Sequence, residues 1–221
     1  GDRPEIFGVE PRPGGLRDHL LARAGKSRSK GVGVTAAAML GIVLDAFGPI
    51  WPHGPRIAGQ ALGDCWRHPG LPVSANDLSS GYVPFHKLSQ WMTYSLIEPF
   101  EWTGTRVYGM DALTGLPEYR NGGLLIDGGL LVPQPSLAQL RPLTAASEPV
   151  IEWRALTIAW IDELAAAVRL RLADGPGGER AAELPLAAIL EGGTWACGRQ
   201  MAQRLRGGAP PLPIETDGTV F

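Results

Sequence analysis

Apolar residues recur at three- to four-residue spacing along most of the chain, between segments rich in glycine and proline. This spacing is the period of an amphipathic or buried helix. Thirty Gly and twenty Pro among 221 residues supply the breaks between helices. The pattern predicts a mainly α fold: a helical domain with structured Gly/Pro-rich loops and at most a small β element. We expect residues 1–221 to form a single domain.

Two helices are indicated in the first half of the chain. Residues 34–47 are rich in alanine and apolar nearly all round, which predicts a buried helix. Residues 83–98 are expected to form a second helix. Pro84 lies in its first turn, where a missing N–H costs nothing, and Pro99 follows its end.

The second half predicts further helices with recognisable caps. A long helix begins at about Glu148, with Ser147 as its N-cap. Another runs from about Leu184 to the sequence EGGTW, and a last helix, capped by Thr194, reaches Arg206.

The segment between these two halves is harder to interpret. Val107 and Tyr108 favour a short strand or hairpin, because β-branched and aromatic residues are enriched in strands. The sequence NGGLLIDGGLLVP at residues 121–133 fits either a short helix or a pair of extended pieces.

Charged residues interrupt the most apolar segments. Glu118 and Arg120 lie within LTGLPEYRNGGLLIDGG, and Glu152 and Arg154 lie in the first turns of the long helix, where the surrounding residues predict burial. An unpaired buried ion costs of the order of several kcal/mol, so these charges must pair or meet a ligand. Glu152 and Arg154 are two residues apart on a helix, so each needs its own partner.

Composition narrows the possible functions. The formal net charge is −2, and basic residues cluster only at residues 23–30, which predicts a solvated loop and no nucleic-acid partner. Cys65 and Cys197 are too few for a disulfide framework or a thiolate metal site. No apolar run of membrane-spanning length and no leader-like sequence occurs. We therefore expect a cytoplasmic protein without a membrane partner.

The second predicted helix carries polar side chains and rings on one face. Lys87, Gln90 and Tyr94 share that face at helical spacing, with His86 and Trp91 beside them. A lysine ammonium such as that of Lys87 binds oxyanions, and aromatic rings cover sugars or planar groups. The pattern fits a ligand-facing surface as well as it fits a solvated one.

A second polar group surrounds Asp64. Together with His53, Cys65 and His68 it offers zinc-ligand residue types, but no pair has a familiar ligand spacing. A capped helix end beside Trp66 is the simpler interpretation, so no metal is predicted. No phosphate loop, dinucleotide fingerprint, nucleophile elbow or HExxH sequence occurs, and no cofactor is expected.

Five segments together resemble a family tied to uracil catabolism in fungi and bacteria: FHKLSQWMTYSLIEP, LTGLPEYRNGGLLIDGG, IEWRALTIAWIDELA, LEGGTWACGRQMA and DGTVF. That family accompanies a uracil phosphoribosyltransferase and a ring-opening enzyme in a pathway that releases urea. Its members are longer at the N-terminus. The resemblance therefore implies that residues 1–221 are the C-terminal part of a longer architecture, completed by an N-terminal portion or a companion chain.

The chain is also similar to the queuosine 5′-phosphate hydrolases, helical enzymes distantly like DNA glycosylases. Their F-x-K-x-x-Q, D-Y-R and E-I-R-A motifs are matched, in order, by Phe85, Lys87, Gln90, Glu118, Tyr119, Arg120, Glu152, Trp153, Arg154 and Ala155. Two positions depart from these motifs: Glu118 replaces the Asp that is catalytic in that family, and Trp153 replaces the Ile. The longer side chain shifts the carboxylate by roughly 1.5 Å, so the role could pass to Asp111 or Glu152.

Both resemblances imply an N-ribosyl hydrolase that cleaves the N-glycosidic bond of a ribosylurea phosphate. Glu118 would be the principal catalytic residue, assisted by Asp111 or Glu152. The expected substrate-binding residues are Lys87, Gln90, Tyr94, Tyr119, Arg120, Arg154, Trp91, His86, Asp64 and Trp195. Two alternatives stay open. One is an amidohydrolase acting on a ureido intermediate, with a metal or Cys197, and the other is a non-catalytic partner of the pathway enzymes.

Overall fold

The computed structural model describes residues 3–24, 33–50, 54–139, 142–176, 178–215 and 220. Its α-helices, in chain order, are α1 (Pro4–Phe7), α2 (Gly14–Ala24), α3 (Ala36–Phe47), α4 (Lys87–Trp102), α5 (Tyr119–Asp127), α6 (Glu148–Ala173), α7 (Leu186–Ile189) and α8 (Ala196–Arg206). Its strands are β1 (Gly33–Thr35), β2 (Arg56–Ile57), β3 (Gln60–Ala61), β4 (Cys65–Arg67), β5 (Tyr82–Pro84) and β6 (Arg106–Tyr108). A π-helical turn, Leu190–Trp195, joins α7 to α8.

The mainly α prediction is confirmed. Strands in the described part of the chain form only two-stranded pairs: β1 with β6 in parallel, and β2 with β3 and β4 with β5 in antiparallel. None of the described helices is both long enough and apolar enough to cross a lipid bilayer.

The chain divides into two compact units. The first comprises Gly1–Pro52 and Leu88–Leu113, and the second comprises His53–Lys87 and Thr114–Phe221. Helix α4 therefore starts in the second unit and continues in the first.

The first unit has an apolar core beside its parallel strand pair. The buried core residues come from α1, α2, β1, α3 and α4: Ile6, Leu16, Leu20, Val34, Met39, Ile42 and Phe100. Thr35 ends β1 and caps α3, since its Oγ1 accepts a hydrogen bond from the Ala38 N–H at 3.1 Å. The predicted helix at residues 34–47 thus begins two residues late.

The second unit packs α5 closely against α6 and α8. A Cβ atom on Gly122 would lie 2.7 Å from Trp153 Nε1 of α6, and one on Gly198 of α8 would collide with the Arg120 carbonyl oxygen. Glycine at both positions allows the close approach. The buried core residues here are Leu143, Val150, Trp153 and Leu212.

Three further predicted helix boundaries were wrong. Pro84 lies in strand β5, and α4 starts only at Lys87. Pro99 lies inside α4, within its last turn, where a proline removes one hydrogen bond from the helix. Thr194 is not an N-cap but part of the π-helical turn. Residues 121–127, left open between helix and strand, belong to α5.

Candidate functional site

Asp64 is the centre of a buried polar network in the second unit. Its Oδ1 accepts hydrogen bonds from Trp66 Nε1 at 2.8 Å and Arg154 Nη1 at 2.7 Å. Its Oδ2 accepts from the Lys87 backbone N–H at 3.0 Å and Arg154 Nη2 at 2.7 Å. Burial alone would raise the pKa of this carboxyl. The hydrogen bonds and charge of Arg154, together with the hydrogen bonds from Lys87 and Trp66, outweigh burial and hold the pKa below its ordinary value. Asp64 is therefore a fully engaged carboxylate.

Arg154 is completely enclosed, with 0% of its surface exposed. Besides Asp64, its guanidinium donates to the carbonyl oxygens of Pro117 and Val220, both at 3.0 Å. The Phe85 ring lies 4.2 Å from the guanidinium carbon, a distance typical of a cation–π contact. A phosphate could reach Arg154 only by displacing Asp64, so this geometry favours a positioning role. Direct contact between Arg154 and a substrate stays a prediction.

Glu118 caps helix α5 from a buried position. Its carboxylate accepts hydrogen bonds from the backbone N–H groups of Arg120 at 2.8 Å and Asn121 at 2.5 Å. Burial raises the pKa of this carboxyl, while the two N–H groups and the charges of Lys87 and Arg120 act in the opposite direction. The raised pKa makes Glu118 a group that can hold a proton nearer neutral pH than an ordinary carboxyl.

The loop that presents Glu118 is fixed by Asn121. The Asn121 Nδ2 donates to the Leu116 carbonyl at 2.9 Å, and its Oδ1 accepts from the Thr194 hydroxyl at 2.9 Å. The π-helical turn supplies Thr194, and π-helical turns are frequent at functional sites. The sequence predicted neither residue as part of the site. Thr194 was predicted to cap the last helix.

The turn at residues 85–87 brings β5 and α4 to the same network. The Asp64 carbonyl oxygen accepts hydrogen bonds from the N–H groups of Phe85 and His86, each at 2.9 Å. Burial lowers the pKa of His86, the charge of Arg154 lowers it further, and the charge of Asp64 opposes both. The net effect lowers the pKa and favours the neutral form of the His86 ring.

Arg120 follows Glu118 and is only partly buried. Its Nη1 donates to the Gly208 carbonyl at 3.0 Å, and its guanidinium lies 4.6 Å from the centre of the Tyr119 ring. These contacts fix the side chain, and its partial exposure leaves it open to an anion from solvent.

The structure brings together part of the predicted site. Asp64, Lys87, Glu118 and Arg154 are linked by direct contacts or by the electrostatic effect of Lys87 on Glu118. Four candidates belong instead to the first unit: Gln90, Trp91, Tyr94 and Asp111. Trp195 lies on the π-helical turn, half-exposed, with Arg199 5.5 Å from its ring.

The predicted burial of Glu152 was wrong. Its side chain is 58% exposed, and its Oε1 lies 3.6 Å from Nε2 of His68. The apolar residues around it misled the prediction, because Leu156 and Trp160 on the same side of α6 are also 45% and 36% exposed.

His68, Glu148 and Glu152 form a group whose ligand atoms lie within 4.8 Å of one another, close enough for one metal ion. His68 Nδ1, however, accepts a hydrogen bond from the Gly70 N–H at 3.1 Å, which places the ring proton on Nε2, facing Glu152. A metal bound at Nε2 would move the ring proton to Nδ1 and break the hydrogen bond from the Gly70 N–H. Cys65 was one of the possible zinc ligands in the sequence, and it is buried. Burial and the charge of Asp64 raise the pKa of its thiol to about 11. His53 lies outside the described residues.

A buried carboxyl, an ammonium and a partly exposed guanidinium thus belong to one polar cluster of the second unit. A family model described as "Protein of unknown function (DUF1688)" matches residues 1–221. The chain therefore belongs to the DUF1688 family.

Two curated relatives are similar to the chain. It is 42% identical to Protein urg3 of Schizosaccharomyces pombe over 176 residues, which cover 78% of this chain and 41% of that protein. It is 35% identical to Uracil catabolism protein 4 of Lachancea kluyveri over 240 residues, which cover 99% of this chain and 53% of that protein. The chain thus spans about half the length of these relatives. No solved structure matches it, so the likeness to DNA glycosylases stays a prediction.

Proposed function

We propose that this chain carries the N-ribosyl hydrolase activity of a uracil-catabolism protein. The substrate is a ribosylurea 5-phosphate, and the products are urea and ribose 5-phosphate. The name of the Lachancea kluyveri relative, Uracil catabolism protein 4, supports the pathway. The observation that carries the reaction type is Glu118, a buried carboxyl of raised pKa beside two cations, Lys87 and Arg120.

Hydrolysis breaks the bond between ribose C1′ and a ureido nitrogen, and water supplies a hydroxyl to C1′ and a proton to the nitrogen. The transition state resembles an oxocarbenium ion. As a carboxylate, Glu118 would stabilise the positive charge on the sugar and accept the proton of the attacking water. Its raised pKa suits a group that takes up and returns a proton within one cycle.

The two cations near Glu118 are proposed to bind the substrate phosphate. Arg120 has the forked donor geometry that matches phosphate oxygens, and Lys87 adds a compact charge. Arg154 is proposed to act through Asp64, which fixes the Lys87 backbone N–H at the start of α4. The site therefore separates substrate contact from positioning.

Urea release from ribosylurea 5-phosphate tests this proposal. We expect the purified protein to release urea and Glu118→Gln to lose about 10²–10⁴-fold in kcat. Glu163→Gln makes the same chemical change on an exposed part of α6 and should leave the rate unchanged. No urea from the wild type, or undiminished urea from Glu118→Gln, overturns the proposal.

The spacing of His68, Glu148 and Glu152 supports a second candidate, a metal-dependent amidohydrolase acting on the ureido group. A metal at His68 Nε2 would then replace the hydrogen bond from the Gly70 N–H to Nδ1. Metal analysis of the purified protein, with rates measured before and after chelation, separates the two. Stoichiometric metal whose removal abolishes turnover, restored by adding zinc, would favour the amidohydrolase.

A further inference from the structure

His86 has a backbone conformation that side chains rarely adopt. Its φ is +49°, and the other non-glycine residue with positive φ among the described residues is Ala58, at +48°. Ala58 precedes Gly59 in the tight connection between β2 and β3, where hairpin geometry calls for positive φ. His86 joins a strand to a helix, and no such turn geometry applies there. Its strain therefore needs another explanation.

The network around Asp64 holds His86 in this conformation. The Asp64 carbonyl accepts the N–H groups of both Phe85 and His86, and the Asp64 carboxylate accepts the N–H of Lys87. Arg154 fixes that carboxylate through two hydrogen bonds of 2.7 Å. Three successive backbone N–H groups thus converge on one buried residue, which over-determines the turn.

The three consecutive side chains of the strained turn, Phe85, His86 and Lys87, lie in different surroundings. Phe85 lies against the Arg154 guanidinium at 4.2 Å. Lys87 is close enough to Glu118 to lower the pKa of its carboxyl. His86 lies between them along the chain, partly buried, within the electrostatic influence of Asp64 and Arg154. A helical or extended residue 86 would change the direction of this ring relative to the other two.

The chemistry of the ring limits what it can bind. Burial lowers the pKa of His86 against the opposing charge of Asp64, and the charge of Arg154 adds to the lowering. The neutral ring is thereby favoured over a cationic phosphate ligand. A neutral imidazole offers one N–H donor and one acceptor nitrogen. That pair complements an uncharged amide, which presents a carbonyl oxygen and N–H groups.

We propose that His86 binds the uncharged ureido group of the substrate, and that the strained turn at residues 85–87 exists to aim its ring at that group. This assignment rests on the proposed N-ribosyl hydrolase function and divides the substrate between two sets of residues. The cations hold the phosphate, and His86 holds the leaving group.

The backbone strain at residue 86 can be tested with two substitutions that both remove the imidazole ring. His86→Gly relieves a positive φ and His86→Ala does not. We expect the glycine variant to have the higher Tm, by about 2–4 °C for a chain of this size. An alanine variant that is equally or more stable, as is normal for glycine–alanine pairs elsewhere, overturns the strained turn.

Kinetics test the ligand assignment. His86→Ala should lower kcat/KM for ribosylurea 5-phosphate by about 10²-fold or more and leave the affinity for ribose 5-phosphate, measured by calorimetry, unchanged. His86→Asn, which tolerates positive φ and keeps a donor and an acceptor, should recover part of the rate. Arg120→Met is expected to show the reverse pattern, with ribose 5-phosphate binding lost.

The possible failures are distinguishable. A wild-type protein that releases no urea overturns the proposed function, and with it the identity of the group at His86. A wild-type protein that releases urea, with His86→Ala equally fast, overturns the His86 assignment alone. Weaker ribose 5-phosphate binding by His86→Ala would place His86 at the phosphate and contradict the proposed division of the substrate.

Discussion

Helix α3 of the first unit and helix α6 of the second each contribute to an Arg–Asp ion pair, in opposite surroundings. The side chains of Arg3 and Asp45 are 31% and 57% exposed, whereas those of Arg154 and Asp64 are 0% and 10% exposed. Water screens the first pair, and such pairs contribute little to stability. The second pair gave up its hydration, which is a cost that only well-formed hydrogen bonds offset.

The two ion pairs differ in what they hold in place. The first unit builds its core from apolar side chains, and the Arg3–Asp45 pair lies at its surface. In the second unit, Asp64 and Arg154 bind the backbone at Pro117, Lys87 and Val220. Their pairing therefore determines the positions of the loop before Glu118 and the start of α4.

The largest expected effect is the removal of one partner of the buried pair. Asp64→Ala leaves the Arg154 guanidinium buried without its counter-ion, which should lower the free energy of unfolding by about 3–5 kcal/mol. Urea denaturation followed by circular dichroism measures it. The double variant Asp64→Ala/Arg154→Met should be more stable than Asp64→Ala alone. Additive losses would mean that the two residues do not act as a pair.

A smaller effect is expected where α8 meets α5, the helix that Glu118 caps. Gly198→Ala places a methyl group against the Arg120 carbonyl oxygen, which should cost about 1–3 kcal/mol of unfolding free energy. Gly192→Ala is the matched control, because its added methyl group would point into open space. Equal stability of the two variants would contradict the close helix packing.

The two buried carboxyls should give opposite pH dependences. The raised pKa of Glu118 stabilises the folded protein below the unfolded pKa, and this stability is lost as pH rises through the folded pKa. The lowered pKa of Asp64 stabilises above the unfolded pKa and is lost as pH falls through the folded pKa. Thermal unfolding from about pH 4 to 8 should show a smaller loss with rising pH in Glu118→Gln than in the wild type. Parallel curves would contradict the raised pKa.

The smallest effect is expected at the exposed pair. Asp45→Asn removes the surface ion pair with Arg3 and should leave the Tm unchanged within the error of calorimetry, at low and at high salt. A loss comparable to that of Asp64→Ala would remove the distinction between the two units.

The apolar period predicted the helical class correctly, because burial of a helix face repeats in the sequence. It placed Glu152 wrongly, because sequence cannot show that Leu156 and Trp160 stay exposed in this chain. The burial of Arg154 followed from its neighbours, but Asp64, 90 residues away, had no sequence signal as its partner.

Local geometry was the other part that sequence could not supply. The strand at residues 82–84 forms by pairing with β4, a long-range contact that no local pattern reports. The positive φ of His86 follows from the hydrogen bonds to Asp64, and the link from Thr194 to Asn121 requires a π-helical turn. These features depend on tertiary contacts and not on local propensity.

The most direct test of the proposed chemistry is the fate of the ureido carbon. Ribosylurea 5-phosphate labelled with carbon-13 at that carbon is incubated with the purified protein, and the products are followed by NMR. Cleavage of the N-glycosidic bond predicts that all the label appears as urea, in amounts equal to ribose 5-phosphate. Label appearing as bicarbonate, with release of ammonia, would contradict the N-ribosyl hydrolase assignment.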